Sequence, residues 1–178
     1  MYRATGIVTA ILVAAAALAA PAEIPLLNPS FEGALGQNGV PEGWTPYGGG
    51  ETLFSLVDGA ADGARALLID DPDPAGEGGL MQDFPVQAGE NVRVRVSVRA
   101  VQEGSSSGAY LQLRFLPGQQ YQQIGLTAAS PDAYNEIAIF DTAPEGTTAG
   151  RIYLYTHDEP TPKVMVDNVI AQTGVEPP

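Results

Sequence analysis

The sequence predicts an all-β chain, a sandwich or barrel of short strands. Three observations predict it. In residues 92–99, VRVRVSVR, the valines Val92, Val94, Val96 and Val98 alternate without a fault with Arg93, Arg95, Ser97 and Arg99. Strict period-two alternation of β-branched and polar residues marks a half-buried strand, its valines facing a core and its arginines facing water or a ligand. The chain also holds 21 glycines and 15 prolines in 178 residues, a density that breaks helices and makes turns. Finally, no segment after residue 22 shows helical periodicity, whereas about ten short strand-like runs follow one another with turn residues between them.

Taken in order, residues 24–32 (IPLLNPSFE) hold two prolines and read as a broken edge strand. Residues 41–44 (PEGW) turn the chain into a strand start, and 52–57 and 66–69 are short strands. Residues 70–79 (DDPDPAGEGG) are expected to be a loop, 80–86 a strand, and 87–90 the turn into the alternating strand. The polar stretch 102–108 is expected to make a hairpin connection to 109–116, which points Leu111, Leu113 and Phe115 inward and Tyr110, Gln112 and Arg114 outward. A weaker strand at 121–126 and one at 134–140 follow; 151–156 buries Ile152 and Leu154 and presents Arg151, Tyr153 and Tyr155. Residues 164–171 close the domain.

The charge balance, eight Lys or Arg against 21 Asp or Glu and −13 net, excludes a nucleic-acid partner and permits divalent cations. With no cysteine there is neither a disulfide framework nor thiol chemistry. Residues 1–22 read as a secretory signal: Arg3 is the positive start, 7–18 the apolar run, and small residues at 17–19 and 20–22 offer cleavage after Ala19 or Ala22. The run is short for a membrane span, and a retained anchor is the alternative. The expected organisation is a signal over 1–22, a β domain over 23–172 and a loose tail over 173–178, working outside the cytoplasm (extracellular or periplasmic) with no span left after cleavage.

Several motifs then fall into a known order: Asn28-Pro-Ser-Phe31-Glu32, Pro41-Glu-Gly-Trp44, Gly63-Ala-Arg-Ala-Leu67, Gln82, Pro85-Val-Gln-Ala-Gly89 and Val166-Asp167-Asn168-Val169. Each is short, but their order and spacing resemble the carbohydrate-binding modules of families four, nine and twenty-two over residues 24–172. The resemblance implies a two-sheet β-sandwich with jelly-roll topology. It also implies a structural calcium ion held by Glu32 and Asp167, with backbone carbonyls near 63–66 as helpers. Against the ion stands the reading that Glu32 caps a turn and Asp167 makes a hydrogen bond. The resemblance further implies a concave sheet whose outward aromatic and polar side chains hold a glycan.

Alternation supplies the outward set: Arg93, Arg95, Arg99, Tyr110, Gln112, Arg114, Arg151, Tyr153 and Tyr155. So many arginines depart from a neutral-glycan platform and point to an acidic sugar or an acidic patch on another copy. The bland alternative is that the arginines pair with acids on neighbouring strands. Trp44, Phe31 and Phe84 read as core, the acidic loop as solvated charge rather than a second calcium site, and His157 as an exposed turn residue. No serine has a histidine partner and no acid pair stands out, so the expected function is a secreted, non-catalytic glycan-binding module for acidic or polar polysaccharide. A structural subunit of an extracellular filament or array is the alternative, with residues 23–28 adding to a neighbouring copy's sheet edge.

Overall fold

The computed structural model describes residues 20–49, 53–157 and 161–178. The expected signal segment therefore lies almost wholly outside the described residues, as do Thr52 at the start of one expected strand and the acids Asp158 and Glu159 beside His157. Among the described residues no helix is long and apolar enough to cross a membrane.

The chain folds into two facing antiparallel sheets. Its strands are β1 (Ala22–Ile24), β2 (Thr45–Gly48), β3 (Phe54–Asp58), β4 (Arg65–Asp70), β5 (Glu77–Phe84), β6 (Asn91–Ala100), β7 (Ala109–Leu116), β8 (Tyr121–Gly125), β9 (Asn135–Thr142), β10 (Ala149–His157) and β11 (Lys163–Thr173). Sheet I runs β3-β4-β11-β6-β9 with β1 also on β11; sheet II runs β2-β5-β10-β7-β8. This is the β-sandwich that the strand pattern and the resemblance imply.

Alternation along each strand decides what lies between the sheets. Val92, Val94, Val96 and Val98 of β6 are fully buried, as are Leu111, Leu113 and Phe115 of β7 and Ile152 and Leu154 of β10. They belong to one continuous core with Phe31, Trp44 and Phe84, the aromatics expected there. Burying one such side chain stabilises by about 1.5–3 kcal/mol, so these rows supply most of the driving force.

Several motif residues of the resemblance turn out to hold the first loop. Gln82, itself buried, accepts from Leu27 N at 2.7 Å and donates to Leu27 O at 2.9 Å and Gly43 O at 3.0 Å. Asn28, with φ 48°, accepts from Gly33 N and donates to Glu42 O, while Trp44 Nε1 donates to Asn28 O at 3.3 Å. Such satisfied polar groups keep a loop next to a core without unpaired backbone.

Four expectations need correcting. Residues 24–32 are not a strand beyond Ile24; residues 22–24 pair with Thr173, Gln172 and Ala171 of the same chain. The loop at 70–79 ends earlier than expected, because Glu77, Gly78 and Gly79 are ladder residues opposite His157, Thr156 and Tyr155. The tail is held: Thr173 is in β11, and Val175 is buried with its carbonyl accepting from Asn91 Nδ2 at 3.1 Å. Finally, residues 101–108 do not make a hairpin but carry the chain from sheet I to sheet II.

A large-to-small change in the inner rows tests this packing. Leu113→Ala is expected to lose about 2–5 kcal/mol, through lost burial and the cavity left behind. Arg93→Ala, on the exposed face of β6, is expected to stay within about 0.5 kcal/mol. Urea midpoints at unchanged slope measure both.

Candidate functional site

The outward face of sheet II is built in rows, because directly paired residues of antiparallel strands share a face. One row reads Tyr47, Gly79, Tyr155, Tyr110, Gly125; the next Thr45, Met81, Tyr153, Gln112, Gln123; the third Asp83, Arg151, Arg114, Tyr121. Tyr47 and Tyr155 stand two strands apart, roughly 9.5 Å at ordinary strand spacing. Their rings nevertheless come to 5.9 Å, edge to face, across Gly79. A Cβ on Gly79 would lie 2.4 Å from the Tyr155 Cβ, so the bare position is what lets the rings meet. Tyr47 also meets Tyr153 edge-on at 5.0 Å, and Tyr110 lies 5.5 Å from Tyr155.

Between these rings and β8 runs a groove of about 380 Å³, lined by Tyr47, Glu77, Gln112, Arg114, Tyr121, Gln123, Tyr153, Tyr155 and His157. Its floor is a hydrogen-bonded set: Tyr155 OH donates to Gln123 Oε1 at 2.5 Å, and Gln112 Nε2 donates to the same oxygen at 3.3 Å and to Tyr155 OH at 3.4 Å. At one end Tyr47 OH donates to Glu77 Oε1 at 2.5 Å, with His157 opposite Glu77 in the ladder.

The two arginines on this face differ. Arg151 is held by Asp83, Nε to Oδ1 and Nη2 to Oδ2 at 2.8 Å, and this pairing raises its pKa. Arg114 makes no ion pair among the described residues. Its guanidinium stands 5.3 Å from the Tyr153 ring centre and 5.5 Å from that of Tyr121, and its buried Nε has no hydrogen-bond partner. Cation–π contacts hold the group in place and leave its donors for a ligand.

The expected convergence of three strands on one face needs correcting. Tyr110, Gln112, Arg114, Arg151, Tyr153 and Tyr155 do share the face of sheet II, but Arg93, Arg95 and Arg99 lie on β6, in sheet I. The valines of β6 and the apolar row of β7 both face the one core between the sheets, so their polar rows point to opposite sides of the molecule. Period-two alternation tells which side of a strand is polar, not which sheet the strand joins. The β6 arginines have local partners: Arg95 pairs with Glu136 at 3.2 Å, Arg93 donates to Gln172 Oε1 at 3.1 Å, and Arg99 stacks on Tyr134 at 5.1 Å. Tyr47, Glu77, Tyr121, Gln123 and His157 were not among the expected site residues. For Tyr121 and Gln123 a signal existed, the alternation of the weak strand; Glu77 was hidden by the glycines around it.

Glu32 and Asp167, for which the resemblance implies a calcium ion, both grip backbone N–H groups. Glu32 Oε1 accepts from Ala64 N at 2.8 Å and Arg65 N at 2.9 Å. Asp167, fully buried, takes Ala61 N at 2.7 Å and Asp62 N at 2.8 Å on Oδ2, and Asn168 N at 2.7 Å on Oδ1. The backbone bonds hold the Glu32 carboxyl below its ordinary range, whereas burial outweighs them at Asp167 and pushes its pKa up. Calcium needs several oxygen lone pairs. Here five N–H groups already bond three of the four carboxylate oxygens, and among the described residues no third acid or histidine joins the pair in a cluster that could hold an ion. As arranged, the pair fits a cation poorly and pins the backbone of residues 61–65 directly.

No family model matches the chain, and no curated protein does. Solved structures share its fold. A family 61 carbohydrate-binding module in complex with β-1,4-galactotriose superimposes with a TM-score of 0.60 at 17% identity, over 84% of this chain and 98% of that one. A family 16 carbohydrate-binding module does so at 0.62 and 14%, over 85% and 99%. A cyclase from Fischerella sp. TAU does so at 0.62 and 16%, over 89% and 100%. The likeness establishes the fold class, which carries both binding modules and enzymes.

Two expectations follow from the site. Tyr47, through its bond to Glu77, and Tyr155, through burial, both have pKa values raised to about 12. A raised pKa favours the protonated form in the folded state, so its stabilisation is complete below about pH 10 and is lost as pH rises through about 12. Absorbance titration should show these phenols ionising late, and Tyr47→Phe should remove one late step. Separately, the melting temperature should be equal with calcium and with chelator, while Asp167→Ala should lose about 1–3 kcal/mol by stranding its N–H donors. A calcium-dependent rise in melting temperature would return the ion to this pair.

Proposed function

We propose that this protein is a secreted, non-catalytic glycan-binding module, and that the groove of sheet II takes an acidic or polar polysaccharide. The observation that carries the reading is Arg114. It stands between two tyrosine rings at the groove wall, without an acid partner among the described residues, in a chain of net charge −13. An arginine fork suits a sugar carboxylate, and the tyrosine faces suit the apolar faces of sugar rings. The amide groups of Gln112 and Gln123 add donors and acceptors for hydroxyls. The neighbouring binding modules support the glycan part of the proposal.

The non-catalytic part rests on the lining. Glycoside hydrolysis uses two carboxyl groups across the scissile bond. Among the described residues the groove offers one, Glu77, and Tyr47 already donates to it. Export is part of the same proposal. Because Ala22 pairs with Thr173, cleavage after Ala19 keeps β1 whole and cleavage after Ala22 shortens it. The intact mass of exported protein should correspond to a chain starting at Ala20.

Titration calorimetry with polygalacturonate and with uncharged β-1,4-galactan tests the groove. Arg114→Ala should weaken polygalacturonate binding by about tenfold or more, in line with loss of a charge-assisted hydrogen bond. Arg95→Ala, on the opposite face, should leave binding as it was, and added salt should weaken it. Failure of the unaltered protein to bind either polymer, or an Arg114→Ala variant that binds normally, would overturn the assignment.

A further inference from the structure

The outer strands of the sandwich are β1, β3 and β9 in sheet I and β2 and β8 in sheet II, and β1 carries Glu23. Exposed edges invite pairing with another chain, and proteins block them with charge or proline. Pro46 sits within β2, Asp58 ends β3, and Glu136 and Asp141 lie on β9. Only β8, YQQIG, has neither. No residue from 118 to 130 is charged, in a chain that elsewhere carries 21 acids. The strand also exposes two large apolar side chains, Tyr121 at 50% and Ile124 at 39%.

We infer that β8 is a self-association edge, where a second copy of this chain adds its own β8 in antiparallel register about a two-fold axis at Gln123. The charge argument selects a second copy as the occupant. Two copies of net charge −13 repel, and β8 is the edge at which they meet with least repulsion. The register comes from the row pattern on sheet II. With Gln123 on the axis, Tyr121 of each copy falls opposite Gly125 of the other, and Gln122 falls opposite Ile124. Gly125 would then lie between Tyr110 of its own chain and the incoming Tyr121, the same Tyr-Gly-Tyr arrangement that brings Tyr47 and Tyr155 together over Gly79. This register keeps both grooves on the same side of the joined sheet and sets Tyr121 of one copy at the groove wall of the other. The inference does not depend on the groove binding glycan.

A contact of one short strand is small, and interfaces under about 1,200 Å² are transient. Association is therefore read by sedimentation equilibrium of the purified protein up to about 1 mM, a concentration that detects weak pairs. A monomer–dimer equilibrium is expected that strengthens as salt screens the net charge, the opposite of the salt effect on acidic-glycan binding. Ile124→Lys should abolish the dimer while the variant still melts cooperatively as a folded monomer. The chain has no cysteine, so single cysteines report the register directly. Gln123→Cys should cross-link on oxidation, whereas Gln122→Cys should not, because its Cα atoms would stand beyond the roughly 7 Å a disulfide spans. A monomer at every concentration, a dimer that survives Ile124→Lys, or equal cross-linking at both positions would overturn the inference.

Discussion

Everything in this molecule depends on one apolar contact, the valine row of β6 and its neighbours in sheet I facing the leucine, isoleucine and phenylalanine rows of β7 and β10 in sheet II. Each strand has only two sides. Once one side is committed to the core, the chemistry of the other is free to vary. The polar side of β6 is closed off by short-range partners such as Glu136 and Gln172. The polar side of sheet II is instead a layer of rings and amides with one guanidinium, that of Arg114, that has no ion pair among the described residues. Burial of the same kind thus supports two unlike surfaces.

Missing side chains shape the groove as much as those present. The rings of Tyr47 and Tyr155 converge because Gly79 between them has no Cβ, and Gly150 likewise makes room for the inward ring of Phe84. Glycine inside a strand costs stability through backbone entropy and lost packing. Here the cost is offset by close ring contacts that a larger residue would prevent.

The strands, their inward faces and the two-sheet class were legible in the sequence, since alternation in 92–99, 109–116 and 151–156 follows directly from strand geometry. Half of the candidate site was legible too: Tyr110, Gln112, Arg114, Tyr153 and Tyr155 point outward on their strands as alternation requires. Assignment of β6 to the other sheet was not legible, because local periodicity carries no information about which strands pair. Glu77 was missed for a related reason. DPAGEGG has the composition of a loop, and Gly78 and Gly79 become ladder residues only because β10 is there to pair with them. The roles of Glu32 and Asp167 depend on where the backbone of residues 61–65 directs its N–H groups, which no spacing rule reveals.

The place of β11 has a consequence for how the chain folds. It is the last strand in sequence, yet it pairs with β1, β4 and β6, and its Asp167 holds backbone groups 105 and 106 residues earlier. Contacts of such long sequence separation incur their loop-closure entropy before any stabilisation is gained, which makes folding slow. Sheet I has no middle until residues 163–173 are present. Of sheet I, a nascent chain lacking them can offer only separate pairs, β3 with β4 and β6 with β9. Closure of sheet I therefore waits for β11 and does not advance strand by strand with synthesis.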